Sequence, residues 1–115
     1  MILHFCPSAA WDAARATGEY RADTLDTQGF IHCSTPAQAH IPANLLAHGR
    51  TDLVLLELDE AALSGLVWED GDPPSPDGAR FPHVYGPILV AAVTAVRPWL
   101  PGPDGTFAPL SPQAT

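Results

Sequence analysis

Residues 52–59 read Asp-Leu-Val-Leu-Leu-Glu-Leu-Asp. An apolar run of this length, interrupted only by Glu57, fits a strand buried on both faces at the centre of a sheet. Upstream, Ile2-Leu3-His4-Phe5 reads as a first strand ended by Pro7, and downstream Val93–Leu100 reads as another, rich in Val and Thr. Gly29 opens a further β-like segment, Phe30–Ser34, and Val67–Glu69 is a short strand. The prolines of Arg80–Pro87 make that stretch an extended segment or an edge, not a central strand.

Two main helices are predicted between these strands. Ala9–Thr17 is capped by Ser8 and stopped by Gly18, with Trp11 and Ala14 on one buried face. The second starts at Thr35-Pro36 and runs to about Ala47–His48, where Gly49 stops it. Pro42 inside it predicts a kink or a split. Glu60–Ser64 reads as a single helical turn, and Tyr20–Gln28 and Asp70–Ala79 read as loops. Asp104-Gly105 is a turn pair after which Thr106–Leu110 returns as a short strand. This mixed order predicts one compact α+β domain over residues 1–110, with 111–115 a frayed tail.

Composition narrows the function. The chain has 115 residues, five Arg, no Lys and thirteen acidic residues, a net charge of −8. So acidic a chain is a poor binder of DNA or RNA, whose phosphates need cationic neutralisation. No run of about 18 apolar residues suggests a membrane helix. The start of the chain lacks a basic leader and a long apolar stretch, so a cytoplasmic protein is expected. Cys6 and Cys33 are then reduced thiols, not a disulfide framework.

Candidate chemistry comes from strand faces, because side chains two apart share a face. Ile2, His4 and Cys6 fall on one face, with Leu3 and Phe5 on the other. Phe30, His32 and Ser34 share a face, opposite Ile31 and Cys33, and Phe81, His83 and Tyr85 share a third. Three β-like segments thus each set one His among apolar neighbours. Each such imidazole is either paired in the core or lines a cleft. Glu57 is either paired or at a cleft. Glu69 follows Trp68, and is either a solvated acid at a loop edge or a carboxylate whose pKa the ring wall raises toward acid–base use. Arg21, before Gly29, is either a plain surface residue or holds an anion such as phosphate. His40 and His48 read as surface residues. His4, Cys6, His32, Cys33 and His83 could supply a metal or thiol centre, but there is no CxxC or HxxxH spacing, and no metal is expected. Gly-rich phosphate loops are absent.

Leu3-His4-Phe5, Trp11, Tyr20-Arg21, Gly29-Phe30-Ile31-His32-Cys33-Ser34 and Phe81-Pro82-His83-Val84-Tyr85-Gly86-Pro87 together resemble the DUF952 family of small bacterial proteins, over about Ile2–Leu100. That family is similar to the ADP-ribosyltransferase fold, a split mixed β-sheet that holds NAD in a cleft. The resemblance implies a fold more firmly than a reaction. It implies that His4 contacts a ribose and that His32 and Ser34 orient the nicotinamide end. His83 and Tyr85 close the pocket, with Trp68 beside them and Arg21 on a phosphate. The superfamily's third motif often carries a catalytic Glu, and the matching His83–Tyr85 segment has none. The resulting expectation is an NAD-type nucleotide cleft with ADP-ribosyl or glycosyl transfer or NAD cleavage; His32, Ser34 and His83 are the catalytic candidates. The alternatives are a non-catalytic ligand-binding or regulatory module, and a metal- or thiol-dependent enzyme.

Overall fold

The computed structural model describes residues 1–71, 74 and 76–110. The strand over 53–58 sits where its composition puts it. The elements are β1 (Ile2–Pro7), α1 (Ser8–Thr17), β2 (Glu19–Tyr20), α2 (Asp23–Thr27), β3 (Ile31–His32), α3 (His40–Leu46), β4 (Leu53–Leu58), β5 (Leu66–Asp70), β6 (Arg80–Val84), β7 (Ile88–Leu89) and β8 (Val93–Trp99). They form three sheets, in the orders β1-β4-β8, β2-β7 and β3-β6-β5. Every pair of named strands is antiparallel. A single bridge, Leu3 to Ser34, ties the first sheet to the chain leaving β3.

β4 is the middle strand of its sheet and divides two cores. Leu56 and Leu58 point into one with Ile2, Cys6, Ile31 and Val84. Leu53 and Leu55 point into the other with Leu3, Trp99 and Phe107. The two-residue period of a strand produces this division, and it confirms the faces read for β1. Glu57 falls on the second face, 13% exposed, and pairs with Arg97 at 2.7 Å. It is therefore a paired residue on the far side of the molecule from the His-bearing sheet.

Several expectations are corrected. Ser8 does not cap α1: it is the first helical residue after Pro7, and its N–H goes to the Asp52 carbonyl at 2.8 Å. Gly18 ends the helix at φ 92, as its position required. The 20–28 loop holds β2's Tyr20 and α2. The second helix splits ahead of Pro42: residues 35–39 form turns, and α3 begins at His40, so Pro42 lies in its first turn, where no N–H is needed. Residues 106–110 are not a strand, and the tail over 111–115 lies outside the described residues.

The most consequential correction is β6, which is central and not an edge. Pro82 costs its ladder a single bond. Its carbonyl still accepts from Cys33 N at 3.0 Å, and only the return N–H is missing. The next pair along, His32 opposite His83, is consequently of the kind without mutual backbone bonds, in which side chains approach most closely.

Candidate functional site

The β3-β6-β5 sheet turns Ile31, Cys33 and Val84 toward the core. Its other face carries Phe30, His32, His83 and Tyr85. These rings form one cluster: Phe30 stacks on His83 (centroids 4.3 Å apart, 19° between planes), and its centroid lies 5.2 Å from that of Tyr85. His32 meets His83 edge-on at 5.2 Å. Beside the cluster lies an open groove of about 560 Å³, walled by Phe30, Val67, Trp68 and Tyr85, with Glu69, Asp70, Arg80 and His83 as its polar groups.

Glu69 is the organising residue. β5 pairs with β6 so that Glu69 lies opposite Phe81, one diagonal step from His83. Its Oε1 accepts from the Tyr85 hydroxyl at 2.6 Å and from His83 Nδ1 at 2.9 Å. The Tyr85 bond and then the His83 bond hold the carboxyl below the ordinary range, so Glu69 is an anion at neutral pH. This reverses the sequence expectation. The Trp68 wall was to raise the pKa, but Trp68 is 41% exposed and desolvates little, while two donors stabilise the charge. The same bond raises the Tyr85 pKa. His83 is buried, and its Nε2 has no hydrogen-bond partner among the described residues.

The turn before the sheet is sterically fixed. Gly65 has φ +71, and a Cβ there would lie 2.8 Å from the Tyr85 carbonyl oxygen. Its own carbonyl accepts from Tyr85 N at 2.9 Å, so this glycine seats Tyr85 at the groove.

His4 lies behind the sheet, not in the groove. Its Nδ1 donates to the His32 carbonyl at 2.6 Å. That fixes Nε2 as the acceptor for the Tyr20 hydroxyl, at 2.8 Å. Burial lowers the His4 pKa to about 4, so the ring is neutral. Burial raises the Cys6 thiol to about 11 and the Cys33 thiol to about 12. Both stay protonated near neutrality and are poor nucleophiles.

Of the residues singled out from sequence, His83, Tyr85 and Trp68 come together at the groove, with His32 against His83. His32 Nε2 also meets Gln28 Oε1 at 2.6 Å. Ser34 is buried and does not line the groove. Arg21 is outside the lining too, and pairs with Asp26 at 3.3 Å on the surface. The cation at the groove is Arg80, which sequence reasoning passed over. Its signal was arithmetic: Arg15, Arg21, Arg50 and Arg97 each meet a carboxylate, and no ion pair of Arg80 occurs among the described residues. No group of three or more His, Cys, Asp or Glu able to hold a metal occurs among the described residues. No helix there is long and apolar enough to cross a membrane.

Fold and site thus define a small α+β domain with an aromatic-walled groove around a hydrogen-bonded carboxylate. The chain belongs to the DUF952 family, described as proteins of unknown function, whose profile matches residues 5–96. It is similar to protein CC0527 from Caulobacter crescentus. The crystal structure of that protein shares 37% identity at a TM-score of 0.82, covering 93% of this chain and 92% of that one. The solution NMR structure of CC0527 gives 36% identity and a TM-score of 0.75, covering 91% and 89%. No curated protein matches the chain.

Proposed function

We propose that the domain is an ADP-ribosyltransferase-like fold whose groove binds an NAD-type nucleotide and supports cleavage or transfer at the nicotinamide–ribose bond. The observation that carries this reading is the Glu69 carboxylate, pinned by Tyr85 and His83 on a groove wall beside exposed Trp68. Breaking that bond builds positive charge on the ribose, and a fixed anion facing it lowers the barrier without reorganising. The His83–Tyr85 segment has no Glu of its own, and Glu69 on the adjoining strand brings the carboxylate beside it. Both described hydrogen bonds fall on Oε1, which leaves Oε2 for a ligand. Trp68 and Tyr85 offer ring faces for a base or for nicotinamide, and Arg80 offers a charge for phosphate. His32 borders the nicotinamide end, and His4 holds His32 in place through its carbonyl.

The test is titration with NAD by calorimetry and by Trp68 fluorescence. Trp11 and Trp99 are buried, so quenching reports on the groove. Binding weakened about tenfold, ~1.4 kcal/mol, in Glu69→Gln and in Arg80→Gln is the expected result. No heat and no quenching at millimolar NAD, or variants that bind like the parent, refute it.

A further inference from the structure

The groove holds a second feature that nucleotide binding leaves unused. His83 has a side chain only 3% exposed, it lines the groove, and its Nε2 is buried with no hydrogen-bond partner among the described residues. Buried polar atoms are nearly always partnered, so an orphan nitrogen on a side chain that lines a groove, behind the Phe30 and His32 rings, marks a place for a ligand atom. The identity of that atom follows from the opposite end of the ring. Nδ1 faces the Glu69 carboxylate at 2.9 Å, and a carboxylate accepts, so Nδ1 carries the proton. In the neutral ring Nε2 is then a lone pair, and what it lacks is a donor.

We propose that Glu69 and His83 form a carboxylate–imidazole dyad in which His83 Nε2 takes the proton of an O–H acceptor, water or an alcohol, at the ribose. This rests on the nucleotide reading and names the class of the second substrate. The acceptor oxygen forms a bond to the ribose C1′, and the C1′–nitrogen bond breaks. The electron pair leaves with nicotinamide, and the acceptor's proton goes to Nε2. Glu69 Oε1 acts here as a positioning group: it holds the tautomer and steadies the imidazolium that forms, which is what a carboxylate does for an imidazole base elsewhere. Tyr85 keeps that oxygen in place by the second bond, at 2.6 Å. Phe30 and His32 pack against the His83 ring in the free protein, and both are partly exposed. A ligand reaches Nε2 by displacing one of them, and Phe30 follows Gly29, whose φ of +89 marks a turn at that point.

Two measurements test this. The first is the tautomer of His83, read by long-range proton–nitrogen NMR on histidine-labelled protein with and without NAD. The proposal requires Nδ1–H in the parent and loss of that preference in Glu69→Gln. An Nε2–H tautomer in the parent overturns the dyad whatever the nucleotide does. The second is nicotinamide release from NAD with methanol as a competing acceptor. The parent should release nicotinamide and yield a methyl glycoside in proportion to methanol. At saturating NAD, His83→Gln should lose release by about a hundredfold or more. Binding with no release even in methanol, or release by His83→Gln at the parental rate, overturns the proposal and leaves the nucleotide site standing. No binding of NAD overturns the nucleotide reading and the reaction named here. If His83→Gln does not fold, Glu69→Gln carries the test. It must slow release with a shifted pH profile, and an unchanged profile refutes the positioning role.

Discussion

Acid should weaken this fold through one residue, His4. The ring is 8% exposed and fully bonded as a neutral imidazole, donating through Nδ1 to the His32 carbonyl and accepting at Nε2 from the Tyr20 hydroxyl. A proton would put a positive charge into the buried core, away from water. Burial therefore lowers the pKa from 6.5 to about 4. The unfolded chain binds the proton first, so stability is complete above pH 6.5 and falls as pH drops toward 4. Each pH unit between those values costs about 1.4 kcal/mol, so the loss is about 2 kcal/mol at pH 5 and about 3 in full. That is a large part of the ~5–15 kcal/mol that a domain has.

The assay is urea unfolding followed by circular dichroism between pH 7.5 and 4.5, on the parent and on His4→Asn. The Asn amide can reach the His32 carbonyl in place of Nδ1–H, while Tyr20 loses its acceptor. At pH 7.5 the variant should be less stable by about 1–3 kcal/mol, the cost of an unsatisfied buried group. Toward pH 4.5 the two curves should converge, because only the parent loses the His4 contribution. Asp52, Glu69 and Asp104 have lowered pKa values, so their losses fall at lower pH and are common to both proteins. Parallel curves across the whole range would refute the assignment of a neutral, buried His4.

Three further outcomes follow from the packing. Leu56→Ala, at a fully buried position in the larger core, should cost about 2–5 kcal/mol in urea unfolding; a loss under about 1 kcal/mol would mean that β4 is not the shared wall of both cores. Gly65→Ala should cost about 1–3 kcal/mol and shift the Tyr85 resonances, because its Cβ meets the Tyr85 carbonyl at φ +71; unchanged Tyr85 signals would show that Gly65 does not seat that ring. Cys6 and Cys33, raised to about 11 and about 12, should react with a disulfide reagent at pH 8 at least about a hundredfold more slowly than in urea. Equal rates would place a thiol at the surface and reopen thiol chemistry.

What the sequence made legible follows a physical pattern. Faces of strands depend on spacing alone, so the division of β1 and β4 between two cores was readable, as was the shared face of His83 and Tyr85. What depends on strand neighbours was not. Pro82 argued for an edge because proline lacks an N–H. The missing N–H falls on the β3 side alone, where the Pro82 carbonyl still accepts from Cys33 N, so a central place costs one bond and no more. Glu69 drew notice for its neighbour Trp68, but its partners are fourteen and sixteen residues away, across the β5–β6 pair. The sign of its pKa shift turned on those partners, since a nearby ring mattered less than two donated protons.

The cation at the groove was passed over for the same reason. Arg21 lies close in sequence to Gly29, and Arg80 is distant from everything except in space. In a chain with thirteen acidic residues and five Arg, surface pairing is what a cation ordinarily does, and four of the five do it. A cation held at a groove, with no ion pair among the described residues, departs from that pattern. The departure coincides with the other irregularities of the molecule: an exposed tryptophan, a carboxylate with two donors on one oxygen, and a buried imidazole nitrogen with no partner there. Folding alone does not favour an exposed tryptophan or a buried imidazole nitrogen without a partner, because each is an imperfectly satisfied group. Their convergence on one groove is the physical reason to seek a ligand there and not at the apolar cleft beside Glu57 and Arg97, where the charges already neutralise each other.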